Sequence, residues 1–409
     1  MFHKLFFLLI PALMYADSLQ ELLNHANSNN NLILSKNLSQ QAIQSELDAT
    51  HSSQAPTVDM GTYYQRLDER SFMMAGDVYS AYAKFSYDIY DGGRKHSTIK
   101  QKQSELHSSR FDAIAFKNSL SLQIVQDFFA IKNIEASINS FNEEKRSLNA
   151  QLIRIKKFYE AQLSTKDAVD KLQSAYDTNN YMLQSLKFQK QTVLKSLELK
   201  VGKTITSLDD ARFKSSNNIK FELNNTVHAL QAQEKSLQHL ATSMQSAYKP
   251  QLNITDTFNV NGYDRTDATH PKGLDNQNKL MLSLNIRLYD GAAVSKNKQA
   301  VLINKRALKN QIIHKTKEQE MLFDLSVQRI QTNKLKIQSA SSALRWARST
   351  FVTIEEKYKA GIVDNVSYLD ALSVQTNART MHQQSLYDLE IAYAMYYFYA
   401  GKNIGEYIQ

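Results

Sequence analysis

Two short stretches decide the fold: Ile89-Tyr90-Asp91-Gly92-Gly93 and Leu288-Tyr289-Asp290-Gly291-Ala292. Their aspartates lie 199 positions apart (290 − 91). The same offset relates Tyr-Glu-Ala at 159–161 to Tyr-Lys-Ala at 358–360, and Val-Gly-Lys at 201–203 to Ala-Gly-Lys at 400–402. Because three motifs share one offset, the stretches between them have equal lengths in both halves, which indicates an internal repeat.

The repeat predicts the organisation of the chain. The first repeat covers residues 17–205, a polar linker covers 206–219, and the second repeat covers 220–409. Each repeat reads in the same order: a helix, two strands, a long helix, a turn and a second helix. We therefore expect an internal twofold structural repeat.

The N-terminal segment 1–16 has the pattern of a secretory signal peptide. His3 and Lys4 precede an apolar run at 5–14, and the small residue Ala16 follows. This run is too short to cross a bilayer as a helix, and a basic start followed by a short apolar core is typical of a cleaved leader. The alternative is a buried N-terminal helix. We expect an exported chain that begins near Asp17.

Composition excludes several functional classes. None of the 409 residues is cysteine, which excludes disulfides, thiolate metal sites, a cysteine nucleophile and a lipid-bearing cysteine. The mean hydropathy of −0.46 argues against a bundle of membrane helices. The net charge of +9 is spread among acidic and polar residues, so nucleic acid is not an expected partner.

Two long segments have the pattern of coiled-coil helices. Residues 94–158 and 293–357 contain no proline or glycine, and helices of this length reach roughly 100 Å. Apolar residues recur every three or four positions from Ile131 to Tyr159, interrupted at Lys145, and from Ile330 to Tyr358, interrupted at Asn333. This spacing is the a/d seam of a coiled coil.

Four segments alternate apolar and polar residues as strands do: 57–65, 79–90, 252–260 and 279–289. Asp256 breaks the apolar face of the third segment. Strands of about ten residues with one apolar face are typical of transmembrane β-barrels. The alternative is a soluble antiparallel sheet, but the amphipathic helices are already committed to their own seam and leave nothing to cover four apolar strands.

The number of strands predicts self-association. Four strands cannot close a barrel, and an open sheet edge in lipid leaves backbone groups unpaired. Two copies would supply eight strands and three copies twelve. Since eight strands leave an interior filled by side chains, a conduit favours three copies.

The repeat, the Tyr-Asp-Gly junctions, the tip pattern and the paired Gly-Lys motifs together resemble the TolC-like outer-membrane efflux protein family, over essentially the whole mature chain. The resemblance implies an α+β membrane protein: a homotrimer with a twelve-stranded antiparallel β-barrel, four strands per protomer, continuous with a long α-helical coiled-coil barrel. It also implies the outer membrane of a Gram-negative bacterium, with the helical tunnel in the periplasm.

The function that the resemblance implies is a passive exit duct of a tripartite efflux or secretion system, as in multidrug resistance. Its partners would be outer-membrane lipid, a periplasmic adaptor protein and an inner-membrane transporter. A structural coiled-coil spacer or adaptor is the alternative function. The matched strands in both repeats distinguish the two, because a spacer does not need them.

The resemblance also implies site residues at the two tips. The adaptor-docking segments align with Ala161, Gln162 and Leu163 and with Ala360, Gly361 and Ile362. Gly361 keeps the glycine of the family, whereas Gln162 does not.

Asp370 lies at the inner of the two gate positions implied by the resemblance, and Ser367 stands where the family often has a second Asp. Asp364 and Tyr358 complete the predicted aperture. A ring of three carboxylates on one axis would favour cations.

At the strand-to-helix junctions we expect structural roles. Asp91 and Asp290 would cap free backbone N–H groups at the helix starts. Gly92 and Gly291 would permit the sharp change of chain direction.

We find no pattern for catalysis, a cofactor or a metal. Gly202-Lys203-Thr204 resembles the end of a phosphate loop, but Leu197 stands where the first glycine is required. The ten histidines show no ligand spacing. We therefore expect that the protein is not an enzyme.

Overall fold

A computed structural model describes residues 16–69, 74–216 and 218–409. The predicted signal peptide lies outside the described residues except for Ala16. The chain forms seven helices and four strands in these ranges. The helices are α1 (Leu19–Asn29), α2 (Asn31–Ser52), α3 (Arg94–Glu160), α4 (Lys166–Val201), α5 (Asn225–Gln245), α6 (Ala293–Lys359) and α7 (Asn365–Tyr399). The strands are β1 (Thr57–Arg66), β2 (Asp77–Tyr90), β3 (Gln251–Asp264) and β4 (Asn276–Asn285).

The chain divides into two compact units. Unit 1 contains the described residues up to Ser35, Ile114–Asn225 and Thr316–Gln409. Unit 2 contains Lys36–Ala113 and Thr226–Lys315, and with them all four strands. Each unit therefore contains parts of both predicted repeats, and the division of the chain at the linker stays a prediction.

The two long helices are present at the predicted places. α3 and α6 each have 67 residues, and their seam positions are buried or half-buried, as at Leu148 and Phe351, except for Tyr159, which is exposed at the end of α3. Asn333, which interrupts the apolar seam, is itself buried, and its amide donates a 2.9 Å hydrogen bond to the Asp388 carbonyl. The interruption is therefore satisfied within the packing. Among the described residues, no helix combines the length and the apolarity needed to cross a membrane.

Asn30 divides the helical segment at the start of the first predicted repeat into α1 and α2, where the sequence predicts one helix. Asn30 has extended backbone angles, and its side-chain oxygen accepts hydrogen bonds from the N–H groups of Leu32 and Ile33. Its amide donates to the Lys200 carbonyl at 2.7 Å. A side chain that satisfies the first N–H groups of a helix starts that helix anew.

The linker is part of the core of unit 1. Leu208 pairs with Asp17 and Phe213 pairs with Ile408 in isolated β-bridges. Phe213 is buried in a large apolar cluster with residues of α1, α3, α4 and α7. The linker is polar in composition, but its buried residues Leu208 and Phe213 hold it against unit 1.

The four strands form one antiparallel sheet in the order β1-β2-β3-β4. The register places Val58 opposite Phe85, and Ile254 opposite both Tyr87 and Leu282. The alternating apolar residues therefore share one face, and that face is exposed in the protomer, with Met60 84% exposed. The predicted two-faced sheet is confirmed.

The fourth strand ends at Asn285, four residues before the predicted end. Asn285 pairs with Gln251, the first residue of β3. Pro250 precedes Gln251 and has no N–H to donate, so residues 286–289 have no partner strand. Leu288 is left 88% exposed at this open edge.

Asp256 is an exception on the apolar face, and its replacement by Leu should stabilise the sheet. It lies between Phe85 and Leu280, and its Oδ1 is buried without a hydrogen-bond partner. An unsatisfied buried polar group costs about 1–3 kcal/mol. We expect Asp256→Leu to raise the midpoint of thermal unfolding in detergent.

The matched control is Thr257→Leu, which adds an apolar side chain to the opposite, polar face of the same strand. This control should give no gain. A lower unfolding midpoint for Asp256→Leu would show that the carboxylate has a stabilising partner.

Candidate functional site

The first tip is a tight turn between α3 and α4. The N–H of Leu163 donates to the Phe158 carbonyl at 2.7 Å, and the N–H of Gln162 donates to the Tyr159 carbonyl at 3.0 Å. This bond pair is the Schellman motif, which closes a helix on a left-handed residue. The hydroxyl of Thr165 then accepts from the Ala168 N–H and starts α4.

The second tip has the same backbone turn. The N–H of Ile362 donates to the Lys357 carbonyl at 2.8 Å, and that of Gly361 donates to the Tyr358 carbonyl at 3.1 Å. Gly361 has φ +73° and Gln162 has φ +60°. The first tip therefore has the same turn as the second, although it lacks the glycine. Gln162 adopts the left-handed conformation there, which costs roughly 1–2 kcal/mol for a non-glycine residue.

Both tips present their side chains to solvent. Leu163 is 75% exposed and Ile362 is 71% exposed. A Cβ added to Gly361 would meet no atom within 4 Å. The predicted docking segments are thus accessible, and two large apolar side chains stand unburied in the protomer.

Asp364 is the N-cap of α7. Its carboxylate accepts from the Ser367 N–H at 3.0 Å and from the Ser367 hydroxyl at 2.7 Å. These hydrogen bonds lower the pKa of Asp364. Asp364 and Ser367, two of the predicted aperture residues, are therefore hydrogen-bonded to each other at the start of α7.

Asp370 lies on the exposed face of α7. Tyr368, Ala371 and Leu372 are buried on the other side of the helix. Ser367 and Asp370 are three positions apart and share a helix face. Within the described part of the chain, no hydrogen bond or ion pair engages the Asp370 carboxylate, so its charge is available at this surface.

Tyr358 lies inside the tip rather than on the face of Asp370. Its half-buried ring stacks on that of Tyr368, with centroids 4.8 Å apart. Tyr368 is fully buried, and burial raises its pKa to about 12. The predicted aperture residues are therefore not all on one surface.

Arg154 joins the two tips, and sequence reasoning missed it. Its guanidinium lies 5.2 Å from the centroid of the Phe158 ring and 5.9 Å from that of Tyr358, and it donates to the Lys359 carbonyl at 3.0 Å. These cation–π contacts and the hydrogen bond link α3 to the end of α6. No local pattern marks this residue, because Tyr358 and Lys359, its partners in the second tip, are about 200 positions away.

A half-buried carboxylate, that of Glu144, lies among α3, α4 and α7. The Asn179 amide donates to Glu144 at 2.9 Å, and the Thr376 hydroxyl is a second hydrogen-bonding neighbour. Burial raises the pKa of Glu144 above its ordinary value of 4.5. The residues 199 positions later are Ala343 and Ala378. The polar contact between Glu144 and Asn179 therefore has no counterpart at the positions 199 residues later.

The two strand-to-helix junctions have similar caps. Asp91 accepts from the N–H groups of Gly93 at 3.1 Å and Lys95 at 2.7 Å. Asp290 accepts from the Val294 N–H at 3.1 Å and from the Tyr248 hydroxyl at 2.6 Å. These contacts fit the capping role that we expect.

The glycines of the junctions are constrained differently. Gly92 has φ +72°, and a Cβ there would lie 2.7 Å from the Ser246 carbonyl oxygen. Gly291 has φ +69° with no atom within 4 Å of such a Cβ. The first junction therefore needs glycine both for its conformation and for a close approach, the second for conformation alone.

Among residues 16–69, 74–216 and 218–409, no group of three or more acidic or histidine side chains could hold a metal ion. The tips and the open sheet edges are thus the features that define the candidate site.

Comparison with known proteins identifies the fold. No protein-family model and no curated protein matches the sequence. The structure is similar to the CmeC outer membrane channel of Campylobacter jejuni, with a TM-score of 0.85 and 15% identity over 95% of this chain and 86% of that one.

Two further structures agree. A membrane protein from Pseudomonas aeruginosa has a TM-score of 0.84 and 14% identity, covering 94% of this chain and 93% of its own. The outer membrane protein VceC from Vibrio cholerae has a TM-score of 0.81 and 12% identity, covering 94% and 96%. The chain therefore has the fold of the TolC-family outer-membrane channels.

The raised pKa of the half-buried Glu144 predicts how stability depends on pH. The folded state holds the Glu144 proton more tightly than the unfolded chain does, so stability is lost as the pH rises through the raised pKa. Glu144→Gln keeps an acceptor for Asn179 without the charge. We expect the variant to be the more stable at pH 7, and this advantage to shrink as the pH falls towards 4.5.

Thermal unfolding midpoints of both proteins across this pH range measure the effect. Asp388 and Glu390, whose pKa values burial also raises, titrate alike in both proteins and cancel in the difference. A difference that does not change with pH would contradict the prediction.

Proposed function

We propose that this chain is the protomer of a trimeric outer-membrane exit duct. The duct conducts solutes passively from the periplasm to the exterior after its tips dock to a periplasmic adaptor and an inner-membrane pump. The observation that carries the proposal is a sheet with an exposed apolar face and two open edges, within the fold of outer-membrane channels.

The sheet edges support closure with other copies. β1 and β4 are the outermost strands, and the apolar residues that they expose include Met60 and Leu282. Unpaired backbone groups on such strands are costly in lipid. Three copies would pair every edge and give twelve strands, with the two repeats of each chain supplying two strands apiece.

Exposed apolar residues on two helices support association of copies in unit 1. Phe188 on α4 is 73% exposed and Leu335 on α6 is 65% exposed. Each lies 26 positions from its own tip residue, Gln162 or Gly361. Leu199 and Leu325, also exposed, lie 37 and 36 positions from the same tip residues.

If the tips of neighbouring copies are level, α4 of one copy and α6 of the next run antiparallel with these residues at equal heights. On each helix the two exposed residues, Phe188 and Leu199 or Leu325 and Leu335, are about one and a half heptads apart, as residues of one coiled-coil seam can be. We propose this seam as the helical contact between copies.

A charge on the seam should break the trimer. Phe188→Glu and Leu335→Lys each place an unpaired charge where we expect an apolar contact, at a cost of roughly 3–5 kcal/mol. We expect the mass of the detergent-extracted protein, measured by light scattering, to fall from three protomers towards one. The double variant should regain the trimer, because the opposite charges would face each other.

The control is Gln189→Glu, which adds the same charge one position off the seam and should leave the mass unchanged. If the single variants remain trimeric, or if the double variant is no better than either, this register is wrong.

Docking through the second tip is tested at Gly361. A Cβ there meets no atom of the protomer within 4 Å, so the bulk of a tryptophan should interfere with a partner, while the φ of +73° strains any non-glycine residue. We expect Gly361→Trp to abolish dye efflux from cells that carry the chain with its own adaptor and pump, while outer-membrane trimer levels stay normal.

Gly361→Ala separates bulk from backbone strain, since it has the same left-handed residue without the large ring. It should retain most of the efflux. Full efflux by Gly361→Trp would refute docking at this tip.

A further inference from the structure

One rung of the sheet carries most of the charge on its polar face. The register places Asp59 opposite Lys84, Lys84 opposite Thr257, and Thr257 opposite Lys279. These four residues cross all four strands side by side, and they alternate with the apolar rung that contains Phe85 and Leu280. The rung therefore has two ammonium groups and one carboxylate.

The two lysines are free at this surface. Lys84 and Lys279 are exposed, and in the part of the chain that the structure describes neither forms an ion pair. The other charged residue on the polar face of the strands, Asp88, is paired with Lys95 at 3.1 Å. The unpaired charge on this face is thus a net +1 per chain, concentrated on one rung of the sheet.

The spacing suits a bound anion. Neighbouring strands lie about 4.8 Å apart, so Lys84 and Lys279 stand roughly 10 Å apart on either side of Thr257. Two flexible ammonium groups can converge on one anion from both sides, while the hydroxyl between them donates a hydrogen bond. Sulfonate, sulfate, phosphate and carboxylate groups all present acceptors to such donors.

Unit 2 contains a second concentration of positive charge. Residues 293–315 of α6 contain six Lys or Arg residues and no Asp or Glu. Charges of one sign along a surface raise the local concentration of ions of the other sign. The rung therefore lies in the same unit as segment 293–315, whose excess of positive charge attracts anions.

We propose that Lys84, Thr257 and Lys279 form an anion-binding belt on the inner wall of the barrel, which takes organic solutes with sulfonate, sulfate, phosphate or carboxylate groups. That the polar face lines the conduit rests on the proposed function. Three copies would place six ammonium groups and three carboxylates on this wall, with each set of three equivalent groups at one level, and a wall of net positive charge selects anions. Such a belt is opposite in sign to the ring expected from Asp370.

The first test is binding, which does not require conduction. The full trimer in nonionic detergent is titrated into the fluorescent tetra-anion pyrene-1,3,6,8-tetrasulfonate, and fluorescence anisotropy is measured. We expect Lys84→Gln with Lys279→Gln to weaken binding by about tenfold or more, and the two Lys→Arg replacements to retain it. Lys272→Gln, which removes an exposed lysine from the loop between β3 and β4, should have little effect.

The second test is block of conductance in planar bilayers by the same tetra-anion. The anion is added on the side of the loop that joins β3 to β4. Wild type and the Arg pair should be blocked, and the Gln pair should need about tenfold more anion for half-block. Unchanged binding and unchanged block in the Gln pair would overturn the belt. Intact, lysine-dependent binding in a protein that never conducts would instead contradict the proposed channel function.

Discussion

The open backbone edges of β1 and β4 are the constraint on which the rest of the structure depends. A strand edge beside an exposed apolar face can satisfy its N–H and C=O groups only by pairing with another strand. The chain supplies no further strand among its described residues, so the partner in our proposal is another copy. In the same proposal, exposed residues of unit 1 such as Phe188 and Leu335 form contacts between copies.

Backbone geometry is shared between the halves more closely than residue identity. Gln162 adopts the left-handed conformation of Gly361, and Ala292, with φ +67°, adopts that of Gly93. In each tip two backbone hydrogen bonds close the helix, and they outweigh the conformational preference of one side chain. The side chains are then free to differ, as the acidic Asp370 does from Lys171, its counterpart 199 positions earlier.

The sequence predicts those features whose causes are local. Period-2 alternation locates all four strands, and an apolar spacing of three and four locates the long helices within a few residues. The division at Asn30, the early end of β4 and the role of Arg154 depend on partners far along the chain. A single sequence does not show which distant carbonyl or strand a residue will meet, and these features were therefore mispredicted or missed.

Asp370 and the two lysines of the sheet lie in different compact units, so their charges can differ in sign without a conflict in packing. Asp370 belongs to a helix of unit 1, whereas Lys84 and Lys279 belong to strands of unit 2. A substitution in one set leaves the packing of the other unchanged, since neither contributes to a buried cluster. In the duct that we propose, the sign of charge at Asp370 and the sign of charge at Lys84 and Lys279 could therefore change independently, and entry and conduction would then select solutes by different charges.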